Sequence, residues 1–130
     1  MDASMSSSMS MMQGGVPDAA KYSQRLKEAF KERINYYREA VYLLTGYKVD
    51  LVKDPARQVL RLRSMYAEHE ADGLVFQQVD EGLELVETPF AKDHLEKVES
   101  YLGKFHSIPA FLSSITLELF EKQTFMPRPF

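Results

Sequence analysis

From Asp18 onward the apolar residues recur with the period of an α-helix. Tyr22, Leu26, Phe30, Ile34, Tyr37, Val41 and Leu44 are separated by 4, 4, 4, 3, 4 and 3 positions and trace one continuous stripe, while Ala29, Tyr36, Ala40 and Leu43 form a second stripe beside it. Asp18 suits an N-cap and Gly46 a left-handed terminus, so the pattern predicts a helix from Ala19 to Thr45. At 1.5 Å per residue such a rod is about 40 Å long, more than the remaining chain can flank in a compact domain. Its first half is expected to project. An apolar stripe left in water there is an aggregation hazard, and a parallel pairing with a second copy is the economical cover. A helix folded back within one globule is the alternative.

After Gly46 the period drops to two. Tyr47, Val49 and Leu51 alternate with Lys48 and Asp50, and Asp54–Pro55 supplies a turn. Leu60, Leu62 and Ser64 alternate with Arg61 and Arg63 in a second strand expected to reach about Tyr66. Beyond the polar loop His69 to Gly73, a third strand over Leu74 to Val79, a turn at Asp80–Glu81–Gly82 and a fourth strand over Leu83 to Glu87 complete an antiparallel meander. Thr88 and Pro89 then open a helix whose apolar residues Leu95, Val98, Tyr101, Leu102 and Phe105 have helical spacing. Ser107–Ile108–Pro109 ends it and starts a last helix. That one carries Phe111, Leu112, Ile115, Leu117, Leu119 and Phe120 with few charges, and should be the most buried. A long helix, a four-stranded antiparallel sheet and two C-terminal helices on one face make an α+β fold.

The ends lack such patterns. Residues 1–17 form a Met/Ser-rich stretch with Gly14–Gly15, no apolar period and no continuous apolar centre, and read as a disordered leader or linker rather than a signal peptide. Residues 126–130, Met-Pro-Arg-Pro-Phe, form a terminal tail that cannot continue a helix. The expected organisation is thus a tail over 1–17, a dimerising helix over 18–46, an α+β head over 47–125 and a terminal tail over 126–130. The 130 residues suffice for one domain with a modest core.

Charge changes the picture more than composition does. The net charge is −3, but residues 19–63 hold eleven bases against five acids, a net of +6, and residues 64–130 hold five against twelve, a net of −7. This asymmetry creates a local field suited to anionic partners, unless the charges are dispersed around a solvated helix. The absence of cysteine removes disulfides, thiol nucleophiles and thiolate metal sites. No charge-free apolar run approaches the roughly 18 residues of a membrane span.

Candidate chemistry is sparse. Glu68–His69–Glu70 sets a histidine between carboxylates, and His94 lies near Asp93 and Glu96, but sequence neighbours do not readily converge on one ion and no metal-binding motif supports them. His69 reads as a loop residue and His106 as one at a helix junction. Ser113–Ser114 lies in an apolar helix, where hydroxyls usually satisfy the preceding turn, and no nucleophile elbow accompanies it. The glycines are too dispersed to cradle a phosphate. No catalytic residue, metal or cofactor is therefore expected, and recognition is the stronger hypothesis.

Arg25 and Lys27, flanking Leu26, are the candidate site, with Lys21 and Lys31 one turn away on either side. In a parallel pair each base is doubled across the seam. Glu28 and Glu32 interrupt the stripe, which disfavours nucleic acid; a phosphorylated peptide matches a patch of two or three bases better. Solvated flanking charges of a coiled coil remain the alternative.

Four motifs add a resemblance. Gln24–Arg25–Leu26–Lys27–Glu28, Leu44–Thr45–Gly46–Tyr47, Tyr66–Ala67–Glu68–His69 and the run Ser107 to Phe120 (Ser-Ile-Pro-Ala-Phe-Leu-Ser-Ser-Ile-Thr-Leu-Glu-Leu-Phe) resemble, in the same order over about residues 21 to 125, the C-terminal domain of the mitotic arrest deficient coiled-coil family of the spindle assembly checkpoint. The resemblance implies a non-catalytic homodimer with an RWD-like head, paired through Tyr22, Leu26, Phe30, Ile34 and Tyr37. It implies kinetochore targeting by Arg25, Leu26 and Lys27, which would bind a phosphothreonine segment of the budding-uninhibited checkpoint kinase. It also implies a phosphosite at Thr124, a link to the anaphase-promoting complex activator, and a nuclear location with kinetochores in mitosis and the nuclear envelope as further places. No nucleic acid and no membrane span are expected. A purely structural cap of a coiled coil is the alternative function. The Met/Ser stretch has no counterpart of the family segment that captures a small HORMA-fold partner, so this chain is not expected to bind that partner, and Phe125 to Phe130 extend past the position matched to the family's phosphothreonine.

Overall fold

The computed structural model describes residues 12–124, with side chains from Asp18 onward. The first eleven residues of the Met/Ser stretch, and the tail expected over 126–130, lie outside the described residues. Packing divides the chain into two units, one ending at Tyr37 and the other beginning at Arg38.

The first unit holds most of a single uninterrupted helix, α1, Met12–Thr45. It starts seven residues ahead of the start expected at Ala19, and Asp18 continues it instead of capping it. The end is where the sequence places it. Gly46 has φ +81 and its N–H donates to the Tyr42 carbonyl at 2.7 Å, a left-handed terminus that a side chain would strain. The Thr45 hydroxyl donates to the Val41 carbonyl and accepts from the Tyr47 N–H, so one side chain serves both the helix end and the start of the sheet.

The second unit begins with the last turns of α1 and is otherwise the sheet and the C-terminal helices. Strands β1 (Tyr47–Val52), β2 (Val59–Ser64), β3 (Leu74–Val79) and β4 (Gly82–Val86) are antiparallel in the order β1-β2-β3-β4, the expected meander. Register aligns Val49 with Leu62 and Leu62 with Leu74, and in the next row Leu51 with Leu60, Leu60 with Phe76 and Phe76 with Leu85. Alternation turns these residues to one face. Strand β2 stops at Ser64, short of the expected Tyr66, because the Ser64 hydroxyl accepts the Tyr66 N–H and the Ser64 carbonyl accepts the Ala67 N–H, turning the chain.

Thr88 caps the next helix as expected, its hydroxyl accepting the Ala91 N–H at 3.1 Å. The helix does not continue unbroken. It divides into α2 (Pro89–Lys92), α3 (Leu95–Lys97) and a π-helical stretch, Val98–Lys104. The break falls at His94, whose buried ring is tied at Nδ1 to the Phe90 carbonyl and at Nε2 to Glu118, both at 2.9 Å. Of the expected stripe, Val98, Tyr101 and Leu102, within the π-helical stretch, pack on the core, whereas Leu95 and Phe105 on either side of it are exposed.

Helix α4 (Ile108–Thr124) starts with the Ser107 hydroxyl accepting the Ala110 N–H. It buries Phe111, Ile115 and Leu119 against Tyr47, Leu62, Leu74, Phe76 and Ala91, and this cluster is the core. The Ser114 hydroxyl donates to the Phe111 carbonyl at 2.7 Å, the backbone-satisfying role expected of it. Tyr47 reaches through the core so that its hydroxyl donates to the Leu112 carbonyl at 2.7 Å, and burial pushes its pKa up to about 12.

Two expected outcomes follow from these ties. Replacing Tyr47→Phe should cost about 0.5–1.5 kcal/mol by urea unfolding, no more, because the Thr116 hydroxyl still donates to the Leu112 carbonyl. A pKa raised by folding gives stability that is whole below pH 10 and lost as pH rises through about 12, so the variant should lose less stability than wild type over that interval. Glu118, which holds His94 at 2.9 Å, Lys97 at 2.9 Å and Lys122 at 3.9 Å, is raised by burial but lowered more by Lys97 and His94, and ends below its ordinary value of 4.5. Its contribution is present above that value and lost as pH falls through the folded pKa. Glu118→Gln should therefore cost about 1–2 kcal/mol at neutral pH, and the gap to wild type should narrow below pH 4.5.

Candidate binding surface

The stripe on α1 is open to water along the first unit. Tyr22, Phe30, Ile34 and Tyr37 are all more than half exposed in the single chain, and Leu26, at 44%, is the least exposed of the five. Single exposed apolar residues are ordinary on a protein surface. Five in register on one side of a helix form a contiguous patch of the kind that marks an interaction surface.

Arg25, Leu26 and Lys27 occupy one turn of this helix. At 3.6 residues per turn the two bases stand about 100° to either side of Leu26, so they border the apolar stripe without entering it. Lys21 precedes Arg25 by one turn and Lys31 follows Lys27 by one turn, which extends both borders. Among the described residues no ion pair engages Arg25 or Lys27. Glu28, the nearest acid in sequence, takes the Gln24 amide at 3.1 Å. The guanidinium of Arg25 and the ammonium of Lys27 are therefore free to take an anionic ligand, the first as a planar fork and the second as a point charge.

Thr124 is the last described residue and ends α4, where it is exposed. It belongs to a different element from the α1 turn. Close by, Tyr66, Glu68, Leu119, Lys122 and Gln123 line a shallow depression of about 190 Å³, with the Gln123 amide donating to the Tyr66 carbonyl.

The other titratable candidates serve the loops and the core. The His69 N–H donates to Asp72 and the Asp72 N–H to the His69 carbonyl, while the Arg61 guanidinium donates to the Glu70 carbonyl and pins the same loop to β2. His94 is occupied by Phe90 and Glu118. Among the described residues no three His, Asp or Glu side chains gather as metal ligands.

The strand register brings together a group that sequence reading did not single out. Lys48 on β1 stands directly opposite Arg63 on β2, and Asp50 opposite Arg61. Alternation marks all four as outward facing, but only the pairing makes them neighbours.

Comparison with known proteins places these features in a family. A family model described as mitotic checkpoint protein matches residues 6–124. The human mitotic spindle assembly checkpoint protein MAD1 is 44% identical over 112 residues, covering 84% of this chain and 15% of that protein. The mitotic spindle checkpoint protein MAD1 of Arabidopsis thaliana is 32% identical over 113 residues, 80% of this chain and 15% of the relative. The spindle assembly checkpoint component MAD1 of the yeast Yarrowia lipolytica is 30% identical over 107 residues, 79% and 15%. The matched region of this chain thus spans about 15% of the length of each of these curated relatives.

Proposed function

The chain belongs to the mitotic checkpoint protein family, and from that premise we propose that it is the non-catalytic recognition end of a spindle assembly checkpoint scaffold. It pairs in parallel with a second copy through Tyr22, Leu26, Phe30, Ile34 and Tyr37, and the sheet and C-terminal helices form an RWD-like head. The paired Arg25–Leu26–Lys27 turns bind a phosphothreonine segment of a budding-uninhibited checkpoint kinase, which targets the scaffold to kinetochores in mitosis; it resides in the nucleus, with the nuclear envelope as a further place. Thr124, exposed at the end of α4, is a phosphosite, and the head contributes to engaging the anaphase-promoting complex activator.

The observation that supports this reading most is the state of the α1 turn. Two bases without ion pairs border an apolar stripe, and pairing doubles them across the seam. A phosphate of charge about −2 is matched by such a group, whereas a long polyanion would also meet Glu28 and Glu32. The same observation supports a second reading, a structural cap whose bases only solubilise a coiled coil. The two differ in what removal of the bases does.

Titration of a phosphorylated and an unphosphorylated peptide from the kinase separates them. The phosphorylated peptide should bind, and Arg25→Ala with Lys27→Ala should weaken it about tenfold to a hundredfold, the loss of one or two charge-assisted hydrogen bonds. Equal affinity for both peptides, or affinity unchanged by the double substitution, would favour the cap.

A further inference from the structure

The core cluster that α4 covers lies on one face of the four strands, while the other face carries Val59, itself buried, together with Val52, Val75 and Val86. Tyr47, Leu62, Leu74 and Phe76 meet α4 on the first face, so Lys48, Asp50, Arg61 and Arg63 alternate to the opposite one. Two of these charges are matched there. Asp50 is paired with Arg38 from the end of α1 and stands across from Arg61, whose guanidinium is also held by the Glu70 carbonyl at 2.9 Å.

Lys48 and Arg63 are not matched. They are directly opposite in the β1–β2 register, and like charges so placed destabilise a sheet. Among the described residues neither makes an ion pair. The Nε of Arg63 is buried and has no hydrogen-bond partner, a costly condition for a guanidinium N–H. An acid at position 48 would relieve the opposition of like charges, as Asp50 does opposite Arg61 one row further along. The sequence instead keeps a second base.

We propose that Lys48 and Arg63, with Arg61 beside them, bind a short glutamate- or aspartate-rich peptide segment of a partner protein. Its carboxylates occupy the position that an acid at residue 48 would otherwise fill. A carboxylate is the group this face already accepts, since Arg38 takes Asp50 on it, and the planar fork of Arg63 fits the same geometry. The length of the ligand is limited by charge. Residues 64–130 carry a net of −7, with Glu70 and Asp72 in the loop pinned by Arg61 and Glu84 bonded to Gln77 across the sheet, so an extended polyanion meets repulsion at both sides of the basic row. Its residues are other than those of the α1 turn, and the inference does not depend on the function proposed for that turn.

The test uses the full chain and a fluorescein-labelled glutamate-rich peptide, with its glutamine counterpart as control, followed by fluorescence anisotropy at low salt. The glutamate peptide should bind and the glutamine peptide should not. Lys48→Glu should weaken binding about tenfold or more while raising the midpoint of thermal unfolding, because the new carboxylate faces Arg63. Arg63→Gln should weaken binding as well, and Arg25→Ala with Lys27→Ala should leave it unchanged. Equal binding of the two peptides, full binding by Lys48→Glu, or loss only in the Arg25/Lys27 variant would overturn the proposal. A short DNA duplex bound as tightly, with the same sensitivity to Lys48→Glu, would overturn the assignment to a peptide.

Discussion

An apolar stripe that its own chain leaves in water is the constraint from which the rest of the molecule's behaviour follows. Helix α1 has 34 residues and a length of about 50 Å, and Tyr22, Leu26, Phe30, Ile34 and Tyr37 are all exposed along it, Leu26 the least. Burying apolar surface is worth about 25 cal/mol per Å², so a second copy that covers the stripe recovers several side chains' worth of transfer free energy. In the function proposed here that same act of pairing makes the site. Arg25 and Lys27 border Leu26, and only a partner helix turns two isolated surface bases into a group of four.

The head obeys a complementary rule. Its core cluster is gathered on one side of a four-stranded sheet, where Phe111, Ile115 and Leu119 of α4 seal Leu62, Leu74 and Phe76. Anchors at the edges hold this packing: Tyr47 to the Leu112 carbonyl, and His94 and Lys97 to Glu118. Because the cluster under α4 takes one sheet face, the other has room for charge beside the buried Val59. The proposed peptide site uses that freedom, at some cost to the free protein's stability, as binding surfaces commonly do.

Much of this is legible in the residues before any coordinates. The 3- and 4-residue spacing gives the stripe, Gly46 the end of the helix, period-two alternation the four strands, and Thr88 the cap of the helix that follows. What escapes is whatever depends on contacts distant in sequence. The run from Leu95 to Phe105 has ordinary helical spacing, yet the helix is broken at His94, whose ring is tied to Glu118, 24 residues away, and a π-helical stretch follows. The early start of α1 escapes because Asp18 has the chemistry of a cap and nothing local forbids its use as one. The opposition of Lys48 and Arg63 needs the strand register, which alternation alone leaves unspecified. Arg25, Leu26 and Lys27 are conspicuous as bases flanking a stripe residue, but the phosphothreonine ligand assigned to them comes from the family and not from their spacing.

Sedimentation equilibrium at micromolar concentration bears most directly on the pairing of α1. The chain has a mass of 15.0 kDa, and a parallel pair requires a particle of about twice that, reduced to a single folded chain by Phe30→Asp with Ile34→Asp. A wild-type mass of 15.0 kDa, with the stripe intact and the head folded, would contradict it.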